Sequence, residues 1–168
     1  MIIAYSYRLQ YTDNCYSLFL DGILLATIKR IDAGTWYVNV KFNGDRYLFV
    51  RTGWLNRSVQ VHNIKAGENL GDISLPVFPL FFRRSTFLLN TGAAICWHSL
   101  NLFSFHWAWK SGGNILLEGV EDFVIAGNSG VIKLHAYQHE SYMLIIAGIF
   151  LSISRKRRGI CRIIYRRP

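Results

Sequence analysis

The sequence predicts a mostly-β chain: a closed antiparallel barrel of about twelve short strands enclosing one hydrophobic helix near the C-terminus. Three observations lead there. Residues 1–135 form a succession of short apolar runs separated by Gly-, Asn- and Asp-containing turns, with no sustained helical period. Tyr142–Ile153 then breaks the pattern with an uninterrupted apolar run. That run lies between His139-Glu140-Ser141 and Arg155-Lys156-Arg157-Arg158, the polarity suited to the two ends of a helix.

The strands follow in order. Asp21-Gly22 separates Cys15–Leu20 from Ile23–Ile28, and an Asp-Gly pair between apolar runs is a strong hairpin signal. After Asp32-Ala33-Gly34, the segment Thr35–Phe42 places Trp36, Val38, Val40 and Phe42 on one face and Tyr37, Asn39 and Lys41 on the other. Asn43-Gly44-Asp45 turns into Arg46–Arg51, and Ser58–Ile64 and Leu70–Leu75 flank Lys65-Ala66-Gly67-Glu68-Asn69. Pro76 and Pro79 interrupt the ladder, because proline has no N–H to give a neighbouring strand. Strands resume at Thr86–Leu89, Ala94–Leu102, Phe103–Lys110, Asn114–Leu117, Asp122–Ala126 and Val131–His135. Between the last two, Gly127-Asn128-Ser129-Gly130 reads as a turn; it lacks the lysine and following helix of a phosphate cradle.

The apolar run is helical because its extent, about Ser141 to Lys156, exceeds ordinary strand length, with Gly159 placed to end it. A helix that is apolar all round must be enclosed by protein or by lipid. Its apolar part spans only about 20 Å at 1.5 Å per residue, whereas a bilayer core needs about 30 Å. A buried core helix is the expectation. The chain divides into strands at 1–135, a central helix at 141–157 and a basic tail at 159–168, all within one domain.

Charged residues make up 17% of the chain and hydrophobic ones 51%, which excludes intrinsic disorder. Of the nineteen basic residues, seven fall in the last fourteen positions: Arg155, Lys156, Arg157, Arg158, Arg162, Arg166 and Arg167. The remainder carries twelve basic and ten acidic residues, so the basicity is expected in a tail and not on the domain surface. Such a tail suits an anionic partner, a membrane surface or an acidic protein ahead of nucleic acid. Cys15, Cys96 and Cys161 form no CxxC pair, so buried free thiols are expected instead of a disulfide framework or zinc ribbon. Met1–Arg8 shows no secretory pattern, and a cytoplasmic location, peripheral at the inner membrane face, is the expectation.

The early hairpin Tyr16–Ile28, the turn and strand Gly67–Leu75, and above all Tyr142–Ile153 followed by Arg155–Arg158 give a chain that resembles the tubby-like β-barrel superfamily. That group includes tubby C-terminal domains, phospholipid scramblases and LURP-one-related proteins. The resemblance covers nearly the whole chain in its order of elements. It implies a roughly twelve-stranded barrel threaded by the hydrophobic helix. Gly159–Pro168 departs from the pattern, with Ile160, Ile163, Ile164 and Tyr165 making the extension partly apolar. Neither the phosphoinositide-binding residues of tubby nor the calcium site of scramblases has a counterpart here.

The basic cluster Arg155–Arg158 with Arg162, Arg166 and Arg167 is the anion- or lipid-binding candidate, set against the plainer role of a solvated helix end. Trp97, Phe103, Phe105, Trp107 and Trp109 share parity, and core packing is expected of them instead of nucleic-acid stacking. His135 and His139 straddle the strand-to-helix junction without a third ligand, and Cys96 and His98 share a strand face without partners. Glu118, Glu121 and Asp122 read as a solvated hairpin connection. No nucleophile elbow, HExxH, P-loop, dinucleotide fingerprint or paired carboxylates occur, so the chain is expected to be no enzyme and to need no cofactor or metal.

Overall fold

A computed structural model describes residues 2–13, 15–41, 43–52, 57–75, 84–100, 106–121, 129–135 and 141–158, the side chains of 155–158 excepted. Twelve strands close into a barrel: β1 (Ile3–Thr12), β2 (Cys15–Leu20), β3 (Ile23–Arg30), β4 (Thr35–Val40), β5 (Arg46–Thr52), β6 (Ser58–Asn63), β7 (Glu68–Ser74), β8 (Arg84–Leu89), β9 (Ala94–Ser99), β10 (His106–Ser111), β11 (Asn114–Glu121) and β12 (Ser129–Leu134). Each strand pairs antiparallel with its sequence neighbour, and β1 closes the ring on β12 with Tyr5 opposite Ile132 and Tyr7 opposite Gly130. Closure leaves no unpaired edge, which resolves the aggregation hazard of so many short strands.

The alternation read in the sequence sets which side chains point inward. On β4, Trp36, Val38 and Val40 are buried, whereas Thr35, Tyr37 and Asn39 are half-buried. The β2–β3 hairpin turns on Asp21 and Gly22, both at positive φ (46° and 81°), the conformation a two-residue type I′ turn demands. Asp21 also accepts hydrogen bonds from the Ser6 backbone N–H (2.7 Å) and hydroxyl (2.8 Å), tying the turn to β1.

Twelve strands leave a lumen too wide for side chains alone, and α1 (Ser141–Arg158) fills it. Residues 143–147 and 149–151 are each no more than 3% exposed, so the apolar surface is enclosed on every side. Aromatic residues fill the gap between wall and helix. Phe150 meets Trp36 edge-on at 5.9 Å and Phe49 at 5.0 Å, while the Trp109 indole N–H donates to the Leu144 carbonyl at 2.8 Å. A Cβ placed on Gly148 would lie 2.5 Å from Cη2 of Trp107, and one on Gly119 of β11 would lie 2.9 Å from Nε1 of the same indole. The Trp107 ring is therefore held between two glycines, one on the helix and one on the wall.

Several expectations need correcting. A strand at Ile3–Thr12 was not singled out, and β11 extends through Glu121 instead of stopping at Leu117. Ser129-Gly130 opens β12 and is not part of a turn. Cys15 and Cys96 are free but only half-buried, because both face outward. The expected strand Asp122–Ala126, Phe42, Pro76, Pro79, Phe103, Phe105, His139, Cys161 and the 159–168 tail lie outside the described residues.

Candidate functional site

The path of α1 fixes where its basic end lies. Leu144 sits at Trp109, Gly148 at Trp107 and Ser152 at Glu121, while Trp109 and Trp107 pair with Leu117 and Gly119 of β11. The helix thus runs parallel to β11 and ends at the rim where β11 ends, here called the upper rim. Strand direction alternates, so this rim carries the C-terminal ends of the odd-numbered strands and the starts of the even-numbered ones.

Buried positions continue through Ser154, and Arg155, Lys156, Arg157 and Arg158 form the last turn of the helix. Cations there oppose the negative end of the helix dipole. Arg162, Arg166 and Arg167 fall outside the described residues. One turn earlier, the Ser152 hydroxyl donates to the Glu121 carboxylate, which is 8% exposed. This bond anchors the helix to the wall where the chain leaves the lumen.

The barrel brings cations to the same rim, beside the acids Asp13, Asp32, Asp72 and Glu121, so that the wall itself stays close to neutral there. Lys29 and Arg30 end β3, Arg51 is the next-to-last residue of β5, Arg57 precedes β6 and Arg84 starts β8. Arg30 lies over the Trp36 ring, 5.9 Å from its centroid, and its Nε–H donates to the Asp32 carbonyl at 2.9 Å.

Glu118 and Glu121, expected in one solvated connection, occupy the same strand three residues apart and face opposite sides of the wall. Glu121 points inward to the helix. Glu118 points outward and is covered by neighbouring strands: His106 Nε2 lies 3.2 Å from Oε2, and Lys133 Nζ donates to Oε1 at 3.2 Å. His135 Nε2 sits 3.4 Å from Oε1, within ion-pair distance but outside hydrogen-bond geometry. Burial alone pushes the Glu118 carboxyl up, but the bonds from His106 and Lys133, the Lys133 charge and His135 together hold it below its ordinary value of 4.5. The cluster fastens β10, β11 and β12 together, and its charges neutralise one another.

The other candidates take structural places. Trp97, Trp107 and Trp109 are at most 1% exposed, in the core as expected. Cys96 and His98 share the outer face of β9, where burial first, then Arg84 and Lys110, push the His98 imidazole below its ordinary value. Among the described residues, no group of three His, Cys, Asp or Glu side chains is placed to hold a metal ion. Also among the described residues, no helix is long and apolar enough to cross a membrane.

No protein-family model matches the chain, and neither the curated proteins nor the solved structures yield a match.

Proposed function

We propose that this chain is a non-catalytic binding module that associates peripherally with anionic phospholipid headgroups through its basic C-terminal end. The observation that carries the reading is the position of Arg155–Arg158: an apolar helix is held inside the barrel through Ser154, and four consecutive basic residues follow at the rim. The barrel shields the apolar run and presents charge at its mouth. Each Lys or Arg close to an anionic surface contributes about 1 kcal/mol, so the four helix residues with Arg162, Arg166 and Arg167 suffice for reversible recruitment. Attraction of this kind is screened beyond about 8 Å at physiological ionic strength.

The closed twelve-stranded wall around a hydrophobic helix supports the likeness to the tubby-like superfamily, and we read the chain as such a barrel acting at the cytoplasmic face of a membrane. The test replaces Arg155, Lys156, Arg157, Arg158, Arg162, Arg166 and Arg167 with glutamine and measures binding to vesicles of phosphatidylcholine with and without phosphatidylserine. Loss of binding to the anionic vesicles by a folded variant is expected. Undiminished binding would sink the proposal. Tail-dependent binding to an acidic polypeptide, with none to vesicles, would instead select a protein-interaction barrel.

A further inference from the structure

Two groups of basic side chains lie on the outer wall of the barrel, on either side of Ala108, and only one of them encloses an acid. The first is the cluster in which His106, Lys133 and His135 surround the Glu118 carboxylate. The second is built from β8, β9 and β10. His98 stands directly opposite Arg84 on one side and Ala108 on the other. Lys110 is opposite Cys96, one outward position along β9, and so lies diagonal to His98. Opposed residues of an antiparallel ladder hold their Cβ atoms about 5 Å apart, and diagonal neighbours lie about 7–8 Å apart. Arg84, His98 and Lys110 alternate with the buried Ser85, Trp97 and Trp109, so all three face outward.

Like charges opposed across a ladder are destabilising, and nothing in these strands offsets them: β8, β9 and β10 contain no Asp or Glu. Among the described residues none of the three side chains forms an ion pair. Glu118 lies beyond Ala108, with Lys133 on one carboxylate oxygen and His106 on the other, each at 3.2 Å. The charges acting on the half-buried His98 are those of Arg84 and Lys110, both positive, and with burial they push its imidazole below its ordinary value. His106, its remaining titratable neighbour on β10, is turned to Glu118. The other outward positions around the trio are Thr86, Ala94, Cys96 and Ala108, small and uncharged, with the Thr86 hydroxyl 3.9 Å from the Cys96 thiol. That leaves room for one anionic group between a guanidinium fork and an ammonium, the pairing that suits phosphate oxygens.

We infer that Arg84, His98 and Lys110 form a site on the outer wall for one dianionic oxyanion, the phosphate group of a small soluble compound, with the Thr86 hydroxyl as a further donor. The site stands apart from the C-terminal arginines and does not depend on the lipid reading. Arg84 and Lys110 match the two charges of the ligand. Its arrival gives His98 the counter-charge it lacks, so binding takes up a proton and tightens as pH falls from about 8 to about 6.

The test titrates the full chain with sodium sulfate, at constant ionic strength held with sodium chloride, and follows the histidine ring signals by NMR. Sulfate stands in for phosphate because it remains a dianion across this pH range. The His98 signal is identified by its loss in His98→Gln, and folding is checked by circular dichroism. Saturable binding is expected, with the His98 signal moving and its titration midpoint rising. Arg84→Gln/Lys110→Gln should bind sulfate at least about tenfold more weakly, whereas Lys41→Gln/Lys65→Gln, with the same charge loss elsewhere, should stay within about twofold of the parent. Should the first double variant unfold, Lys110→Gln alone must weaken binding by about fivefold. His98→Gln should remove the dependence on pH. Binding that does not saturate, that falls equally in both double variants, or that survives in both because sulfate sits on the tail overturns the site, as does affinity indifferent to pH in the parent. Acetate binding as tightly as sulfate overturns the dianion. Arg84→Gln/Lys110→Gln should partition onto phosphatidylserine-containing vesicles within about twofold of the parent; a large loss there would make a lipid headgroup the ligand and overturn the soluble one.

Discussion

Replacing Gly148 with alanine tests whether α1 is seated against Trp107. In a helix interior, Gly to Ala gains about 1 kcal/mol from backbone entropy. On an exposed face the substitution would therefore stabilise the protein. Here the added methyl falls 2.5 Å from Cη2 of Trp107 and 3.0 Å from Nε1 of Trp109. Trp107 has nowhere to retreat, since Gly119 already lies against the same ring and a Cβ there would itself collide with it. Trp109 is tethered to the helix through its bond to the Leu144 carbonyl. Overpacking a filled core costs about 1–3 kcal/mol, and with both rings pinned the upper part of that range applies. The expected net is a destabilisation of about 2 kcal/mol after the propensity gain is subtracted. Urea unfolding followed by tryptophan fluorescence would show it as a lower midpoint, by about 1 M for a slope near 2 kcal/mol/M. Adding Trp107→Phe should recover part of the loss, giving a coupling between the two sites. A Gly148→Ala protein as stable as the parent, or more so, would refute the seating of the helix between these rings.

Three further outcomes follow from the packing. Trp109→Phe removes the indole donor to Leu144 and part of a fully buried ring, and should cost about 2 kcal/mol in the same urea assay; an unchanged midpoint would contradict the buried helix. Ser152→Ala takes a donor from the buried Glu121 carboxylate and should cost about 1–3 kcal/mol, whereas an exposed helix end would tolerate it without effect. Glu118 is held below its ordinary value, so on acidification the unfolded chain takes up the proton first. Its contribution to stability is present above about pH 4.5 and is lost as pH falls toward the folded value. Melting temperatures from about pH 6 to pH 3 should accordingly fall less steeply for Glu118→Gln than for the parent, and parallel curves would show that the carboxylate is not held by its neighbours.

Local pattern was enough to read the architecture, and pairing across the barrel was what remained hidden. Alternation in Thr35–Val40 marked an inner face directly, and the apolar run at Tyr142–Ile153 required an enclosure that only a closed wall around it supplies. Ile3–Thr12 escaped because its alternation runs through tyrosines and an arginine, and its partners Cys15–Leu20 and Ser129–Leu134 lie partly at the other end of the chain. Glu118 and Glu121 resembled a solvated connection because acids that close together usually are one. What compensates Glu118 comes from His106 and Lys133, twelve and fifteen residues away, and what compensates Glu121 comes from Ser152, thirty-one residues away. The rim cations were illegible for the same reason. Lys29, Arg57 and Arg84 are about one strand pair apart in sequence, and only the alternating direction of the barrel strands places them around the helix end.

Flotation of the intact protein with neutral and phosphatidylserine-containing vesicles, at low and high salt, tests the membrane reading most directly. The account predicts flotation on the anionic vesicles alone, declining steeply as salt shortens the reach of the charges. Flotation that persists on neutral vesicles in high salt would contradict it, since apolar insertion would then replace charge as the cause; so would a protein that stays at the bottom with every vesicle.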